Sequence, residues 1–254
     1  MSRPAAIGVD AGSTTWKGVV LSETGSVLAS KVAPAHPLIA EQTQEALGLL
    51  REEAGAGTEV PVGATGYGRK RVQAARIVTE ITCHARGAFH RVGRPGVLID
   101  MGGQDTKVIR VGAGGAVADF AMNDKCAAGT GRFLEVLLRR LDVPYDRVAT
   151  LVAEAGKAVQ VSSTCTVFAE SEVISLVSEG APLAGILRGV HEALALRIVA
   201  LGGGLQQVSP VFMSGGVALN AAMVTTLSRA MGRAVEVVPE PQLVGAIGAA
   251  LTVL

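Results

Sequence analysis

Aromatic residues are scarce in this chain. Phe, Trp and Tyr make up 3% of its 254 residues, although hydrophobic residues of all kinds make up 49%. Any core must therefore be built from Val, Leu, Ile and Ala. The length is enough for one large domain or for two domains of about 100–130 residues each.

An excess of charge of either sign is also lacking. The 23 Lys and Arg residues nearly balance the 22 Asp and Glu residues, and the formal net charge is +1. Nucleic acids and anionic membrane surfaces select basic patches. We therefore expect neither nucleic acid nor membrane among the partners.

No apolar run is long enough to suggest a membrane span. Glycines and charged residues interrupt every such run before the roughly 18–20 residues that a transmembrane helix needs. Residues Met1 to Pro4 lead directly into the strand-like run Ile7–Val9, with no pattern of a signal peptide. The sequence thus predicts a soluble, cytoplasmic α/β protein.

The two commonest nucleotide-binding motifs are absent from the sequence. It contains neither Gly-x-x-x-x-Gly-Lys-[Ser/Thr] nor Gly-x-Gly-x-x-Gly after a strand. Cysteines are few: Cys83, Cys126 and Cys165 are odd in number and far apart. This pattern favours free thiols or metal ligands over disulfides.

What the chain does contain is a succession of short β-branched runs and amphipathic segments bounded by Gly, Pro or Asp. The runs predict strands at Ala6–Asp10, Lys17–Ser22, Val27–Pro34, Val60–Thr65, Val97–Asp100, Thr106–Val111, Val117–Ala121, Val211–Ser214 and Val235–Val238. The amphipathic segments predict helices at Leu38–Ala54, Arg69–Ala74, Cys83–Val92, Gly129–Leu141, Val148–Ala155, Val167–Glu179, Pro182–Gly203, Leu219–Met231 and Leu243–Val253.

One pattern occurs twice, near residues 10 and 100. Each copy has an apolar strand, an Asp, a Gly two residues later, a Lys seven residues after the Asp, and a second apolar strand. The matching residues are Asp10, Gly12 and Lys17 in the first copy, and Asp100, Gly102 and Lys107 in the second. The repeat predicts two β-hairpins at equivalent places in two duplicated domains.

Hairpins of this composition suit phosphate groups. A tight turn of small residues presents several backbone N–H groups to one point, and glycine lets an anion approach the backbone closely. Hydroxyl and amide side chains add donors. In the first turn these candidates are Gly12, Ser13, Thr14, Thr15 and Lys17, and in the second they are Gly102, Gly103, Gln104 and Thr106.

The two aspartates need a separate reason, because a carboxylate repels bare phosphate. Asp10 and Asp100 would hold hydrated Mg²⁺ or position the attacking water. Asp105 is a further candidate for holding the metal or orienting the water, and Gln104 is a further candidate for orienting the water. The alternative is that each hairpin is closed by an ordinary type I or type II turn, in which Asp and Gly are common.

A third segment, Val211–Asn220, predicts a strand, a Gly-Gly turn and a helix. Gly215 and Gly216 leave a surface without side chains, on which an adenine ring can lie beside Val217. Asn220 can reach a ribose or base edge from the first turn of the helix. The same arrangement is also a common connection without a ligand. Gln242, before the Ala- and Gly-rich C-terminal helix, is a further candidate nucleotide contact.

Together the two hairpins and the Gly-Gly turn resemble the acetate kinase, sugar kinase, Hsp70 and actin superfamily of ATPases. The resemblance implies an α/β fold of two duplicated ribonuclease H-like domains, with mixed sheets and an ATP-binding cleft between them. The first domain would span residues 1–95, with the helix at 240–254 returning to it. The second, residues 96–239, would carry Cys126 and Cys165.

Cys126 and Cys165 each precede a predicted helix. A helix N-terminus has unpaired N–H groups and a partial positive charge, which stabilise a thiolate. The alternative is that each is a small buried hydrophobe. An all-cysteine iron–sulfur cluster needs four thiolates. If these two bind such a cluster, a symmetric homodimer must supply two from each subunit. Cys83, within a helix, is interpreted as structural.

The segments Lys125–Leu134 and Ser163–Ser175 resemble those of the activators of 2-hydroxyacyl-CoA dehydratases, in the family that includes the ATPase subunits of benzoyl-CoA reductase. The resemblance implies a homodimer bridged by one [4Fe–4S] cluster. It also implies that ATP hydrolysis to ADP drives a low-potential electron from reduced ferredoxin or flavodoxin to an iron–sulfur acyl-CoA dehydratase or reductase. Gly129, Thr130 and Gly131 would touch phosphate and couple nucleotide to cluster.

Two rival functions remain at this point. A small-molecule kinase of the same fold would need no cluster, but the chain has no evident insertion for a sugar-binding loop. An ATP-dependent binding or filament protein like actin would need no cluster either.

Overall fold

A computed structural model describes residues 3–123, 127–162, 165–205 and 208–254. Ten strands and eight helices lie in these ranges. The strands are β1 (Pro4–Ala11), β2 (Thr15–Ser22), β3 (Val27–Pro34), β4 (Val62–Thr65), β5 (Arg76–Ile77), β6 (Gly96–Met101), β7 (Thr106–Val111), β8 (Val117–Asn123), β9 (Val211–Ser214) and β10 (Val235–Val237). The helices are α1 (Ile39–Ala54), α2 (Glu80–Val92), α3 (Gly131–Arg140), α4 (Val148–Glu154), α5 (Thr166–Ser178), α6 (Leu183–Gly202), α7 (Ala221–Met231) and α8 (Val244–Ala250).

The strands form two five-stranded sheets with equivalent strand orders. The first has the order β3-β2-β1-β4-β5 and the second β10-β9-β6-β7-β8. Read from its other edge, the second sheet repeats the first with each strand number raised by five. In the first sheet, β1 pairs antiparallel with β2 and parallel with β4. The predicted fold class of two duplicated α/β domains with mixed sheets is confirmed.

The first sheet is covered on both faces. On one face Ile7 and Trp16 pack with Leu50 of α1, and the indole N–H of Trp16 donates to Thr43 Oγ1 at 2.9 Å. On the other face Leu21 packs with Ile247 of α8. Since these side chains are large and almost fully buried, the sheet between them is held rigidly.

Helix α8 approaches the sheet and α2 closely enough to require glycine. A Cβ on Gly8 of β1 would lie 1.9 Å from the carbonyl oxygen of Ala246, and one on Gly87 of α2 would lie 2.0 Å from that of Val244. No side chain fits at either position. The glycines therefore fix α8 directly against the strand that carries Asp10.

The chain divides into two compact units by its internal contacts. Unit 1 comprises Met1–Leu98, Ile109–Asp119 and Val238–Leu254, and unit 2 comprises Ile99–Val108 and Phe120–Val237. This division departs from the expected boundaries mainly at Ile109–Asp119. The turn in that segment packs on α2, where a Cβ on Gly115 would lie 2.9 Å from Cα of Arg86.

Unit 2 is largely helical around its sheet. Leu138 of α3, Val148 and Val152 of α4, Leu187 of α6 and Ala222 of α7 form one buried cluster. In the described ranges, no helix of either unit is long and apolar enough to cross a membrane.

Two local predictions were wrong. The helix expected at Arg69–Ala74 is a single 3₁₀ turn, Arg69–Arg71, which ends where buried Val72 becomes extended. Strand β5 was not predicted, because its two residues are too short to show a period. All nine predicted strands and the other eight predicted helices are present, with their ends shifted by at most three residues.

Candidate functional site

In unit 1, Asp10 lies at the end of β1 and is 4% exposed. It is the direct partner of Lys17 across the antiparallel β1–β2 pair. Lys17 Nζ donates to Asp10 Oδ2 at 3.1 Å. Because the ammonium group offsets the negative charge of the carboxylate, the turn between them can receive an anion.

The turn that follows Asp10 is tight enough to require glycine at position 12. A Cβ on Gly12 would lie 2.7 Å from the carbonyl oxygen of Thr15 and 3.2 Å from Lys17 Nζ, so a side chain there would fill the space before the lysine. Thr14 Oγ1 is buried and has no hydrogen-bond partner among the described residues. An unsatisfied buried hydroxyl costs about 1–3 kcal/mol. A phosphate oxygen could accept its proton, and exposed Ser13 lies beside it.

Two further glycines enclose the Asp10 carboxylate. A Cβ on Gly66, whose φ is +94°, would lie 2.6 Å from Asp10 Oδ1, and one on Gly245 of α8 would lie 3.0 Å from Oδ2. The loop bearing Gly66 is held in place because Gly68 N–H donates to the carbonyl of Ala11 at 2.8 Å. Neither glycine was assigned a role from the sequence, although Gly66 directly follows a strand.

In unit 2, the second hairpin has the same Asp–Lys pair with a third member. Lys107 Nζ lies 3.6 Å from Asp100 Oδ2 and 2.7 Å from Asp105 Oδ2. The Lys107 and Asp100 side chains are 3% exposed and that of Asp105 is 26% exposed. Carboxylate oxygens are ligands that hydrated Mg²⁺ accepts. Gln104, at the tip of the turn, is exposed.

The second hairpin is hydrogen-bonded to the segment that begins α3. Gly131 N–H donates to the carbonyl of Gly102, and Arg132 N–H to that of Gly103, both at 2.8 Å. Thr106 Oγ1, fully buried, donates to the carbonyl of Gly129 at 2.7 Å.

These three bonds join the phosphate turn to residues 129–132, three to six positions after Cys126. Within this segment the Thr130 hydroxyl is engaged by the backbone, because Thr130 Oγ1 donates to the carbonyl of Ala127 at 2.7 Å.

The Gly-Gly turn after β9 packs on the second hairpin. Gly215 has φ +87°, and a Cβ on it would lie 2.3 Å from the carbonyl oxygen of Met101, so only glycine fits. Ser214, fully buried, donates from Oγ to Asp100 Oδ1 at 2.7 Å. The turn continues through a 3₁₀ segment that contains Gly216 and buried Val217.

Asn220 is the N-cap residue of α7, and both polar atoms of its side-chain amide contact other groups of the protein. Its Oδ1 accepts from the N–H groups of Ala222 and Met223. Its Nδ2 lies 3.0 Å from Nε2 of His191, whose Nδ1 contacts the carbonyl of Leu187 at 2.7 Å. Burial lowers the pKa of His191, although that backbone hydrogen bond raises it. Asn220 thus braces the Gly-Gly turn, and a ribose contact would require it to exchange partners.

The cysteines differ in environment. Cys165 is half-buried, forms no disulfide and is the N-cap residue of α5. Cys83 is fully buried in α2, and burial raises the pKa of its thiol to about 11, against a lowering by its hydrogen bond with Thr65. Cys126 lies outside the described residues. Among the residues described, no three His, Cys, Asp or Glu side chains form a group able to hold a metal ion.

Each unit therefore brings together part of the predicted site. Unit 1 gathers Asp10, Gly12, Ser13, Thr14, Thr15 and Lys17, and it places half-buried Gln242 just before α8. Unit 2 gathers Asp100, Gly102, Gly103, Gln104, Asp105, Thr106, Lys107, Gly129, Thr130, Gly131, Gly215, Gly216 and Val217. Ser214 had no predicted role, yet its place at the strand end before Gly215 was visible in the sequence.

Several proteins are similar to this chain in sequence and in fold over nearly their whole length. The activator of lactoyl-CoA dehydratase from Anaerotignum propionicum is 42% identical over 256 residues, covering 96% of this chain and 95% of the relative. The structure of (R)-2-hydroxyglutaryl-CoA dehydratase component A from Acidaminococcus fermentans has a TM-score of 0.91 at 38% identity, covering 98% and 96%.

The activator of the 2-hydroxyisocaproyl-CoA dehydratase from Clostridium difficile, solved with bound ADPNP, has a TM-score of 0.89 at 38% identity. It covers 100% of this chain and 94% of its own. Residues 7–253 match the sequence profile of the BadF/BadG/BcrA/BcrD ATPase family. The chain is a member of the BadF/BadG/BcrA/BcrD ATPase family.

Proposed function

We propose that this protein is an ATP-hydrolysing activator that transfers single low-potential electrons to a partner enzyme. The partner would be an iron–sulfur 2-hydroxyacyl-CoA dehydratase or a benzoyl-CoA-type reductase, and reduced ferredoxin or flavodoxin would be the electron donor. The observation that carries the proposal is the hydrogen-bonded junction between the second phosphate turn and residues 129–132.

Each unit has groups that suit a part of ATP. The backbone and hydroxyl donors of residues 12–15 and 102–106 suit phosphate oxygens. Asp10 and Asp100 would hold hydrated Mg²⁺, each with its lysine limiting repulsion of the phosphates. Asp105 or Gln104 would orient the attacking water, since both lie at the turn. The Gly215–Val217 surface would receive the adenine ring.

Cys126 and Cys165 of two identical subunits would provide the four thiolates of one [4Fe–4S] cluster per homodimer, which when bound serves as a one-electron carrier. The half-buried, free thiol of Cys165 fits this role. It lies at the start of the 13-residue helix α5, whose N-terminal charge favours a thiolate.

Coupling between nucleotide and thiol follows from the bonds on residues 129–132. A phosphate that binds the backbone of Gly102 and Gly103 would shift the two carbonyls that accept from Gly131 and Arg132. These donors belong to the start of α3, so the shift would pass to the segment after Cys126. The hairpin and α3 would then adopt two arrangements together. ATP would favour one of these arrangements and ADP the other.

The proposal is tested on protein purified without oxygen. We expect iron and sulfide in the wild type, their loss in Cys165→Ser, and their retention in Cys83→Ala. In anaerobic stopped-flow mixing with reduced ferredoxin and the dehydratase, ATP should accelerate electron transfer. Equal rates with and without ATP, or a cluster-free protein that phosphorylates a sugar, would overturn the proposal.

A further inference from the structure

His84 is a buried imidazole in unit 1 to which the proposed function assigns no role. It lies one turn into α2, the helix that Thr79 caps at its N-terminus, and is 7% exposed. Its neighbour in the chain, Cys83, is close enough to Asp10 for the carboxylate to act on the thiol electrostatically. This part of α2 therefore faces the end of β1.

Gly245 defines the geometry between His84 and Asp10. A Cβ placed on Gly245 would lie 2.8 Å from His84 Nε2 and 3.0 Å from Asp10 Oδ2. The ring nitrogen and the carboxylate oxygen thus lie close to the same point beside the Gly245 Cα, and the absence of a side chain there lets the two groups approach each other. Their separation is no more than one bridging water can span.

The other surroundings of the Asp10 carboxylate show why this contact matters. Oδ2 accepts from Lys17 Nζ at 3.1 Å, and Gly66 offers no side chain to Oδ1. Thr65, beside Asp10 on β4, donates its hydroxyl proton to the carbonyl of Val78 at 3.0 Å. Lys17 is on a flexible stem, whereas His84 is fixed in a helix.

We propose that His84 is a positioning residue for Asp10: its Nε2–H donates to Oδ2, directly or through one water, across the gap that Gly245 leaves open. The inference rests on the proposed function in that it concerns Asp10 as a ligand of hydrated Mg²⁺ with nucleotide. An imidazole donor behind a metal-binding carboxylate fixes the orientation of its oxygens, and loss of such a partner weakens metal binding about 10–100-fold.

The contact itself is measured without nucleotide or metal. In ¹H–¹⁵N long-range spectra of the full chain, the His84 Nε2 resonance should move in Asp10→Asn, while that of His90, at the far end of α2, should stay. Gly245→Ala should move it too, because the methyl group would enter the gap. An unmoved His84 resonance in both variants would overturn the inference, whatever the protein does with ATP.

The consequence is measured with Mn²⁺ and ADP, by the electron paramagnetic resonance signal of free Mn²⁺. We expect His84→Ala to weaken Mn²⁺ binding about 10-fold, His84→Gln to restore most of it through its amide donor, and His90→Gln to bind as the wild type does. Equal affinity in His84→Ala and the wild type would overturn the positioning role. Failure of the wild type itself to bind Mn²⁺ with ADP would instead count against the proposed function, and the spectra would still decide the contact.

Discussion

Ser214 Oγ donates to Asp100 Oδ1 at 2.7 Å, and both side chains are buried. This bond joins the Gly-Gly turn proposed for adenine to the carboxylate proposed for Mg²⁺. If both proposals hold, binding at either place would affect the other through this one hydrogen bond, within unit 2 alone.

Removal of this bond should affect both stability and nucleotide binding. In Ser214→Ala the free energy of unfolding should fall by about 1.5–3 kcal/mol, because a buried carboxylate loses a donor. The KM for Mg·ATP in the ATPase reaction should rise. Urea titration and steady-state ATPase assays measure the two effects. Ser178→Ala, which removes an exposed serine bond to a backbone carbonyl at the end of α5, is the control and should change neither.

Among the lysines that the structure describes, Lys107 should be the most sensitive to neutral replacement. Lys107→Met leaves Asp100 and Asp105 facing each other without their shared cation, and breaking a buried ion pair costs about 3–5 kcal/mol. Thermal denaturation should show a large loss of stability at pH 7. Exposed Lys157→Met should denature as the wild type does; an equal loss there would contradict the assignment.

Thr106 offers a test of the coupling junction. Thr106→Val keeps the shape of the side chain but removes the bond to the carbonyl of Gly129, at a cost of about 0.5–1.5 kcal/mol. We expect hydrogen exchange to increase in residues 127–140 and the effect of ATP on electron transfer to diminish, while ATP still binds. Thr252→Val is the control, because it removes a similar hydroxyl-to-carbonyl bond just after α8, in unit 1. In this variant, hydrogen exchange in residues 127–140 should match that of the wild type.

Cys165 and Cys83 should react differently with iodoacetamide in cluster-free protein. At pH 8 the half-buried Cys165 thiol should be alkylated, whereas Cys83 should not, since burial raises its pKa from 9.0 to about 11. Peptide mass spectrometry separates the two sites. Faster labelling of Cys83 than of Cys165 in folded protein would contradict the burial of Cys83.

The same raised pKa gives a pH dependence of stability. Below pH 9 the Cys83 thiol is protonated in both the folded and the unfolded chain and does not affect their balance. Between about pH 9 and 11 the unfolded chain loses this proton first, so the free energy of unfolding should fall as pH rises. Cys83→Ala should flatten that part of the curve in urea titrations; an unchanged slope would show that Cys83 does not titrate there.

The sequence predicted those features that depend on local pattern. The Asp10–Lys17 spacing specified a hairpin because a strand pair closed by a short turn places both residues opposite each other, as the register shows. The position of Asn220 at a helix start indicated a polar role, but the N-cap requirement competes with a ligand contact. Here the cap and His191 take its amide.

Features that depend on distant segments could not be predicted. Gly245 is 235 positions from Asp10 in the sequence, and only the fold brings its missing side chain against that carboxylate. Ser214 and Asp100 are likewise separated by 114 positions. A polar residue at the end of a strand has many possible partners, and a single sequence does not select among them.

The return of α8 to unit 1 has a consequence for biosynthesis. The strands β1–β5 leave the ribosome before unit 2, but one face of their sheet stays bare until α8 has been made. Unit 2 is complete before that point and can fold while the nascent unit 1 still exposes Leu21 and its neighbours. Unit 1 thus begins to be translated before unit 2 but completes its fold after it. A premature stop codon within α8 would leave a folded unit 2 joined to an aggregation-prone sheet.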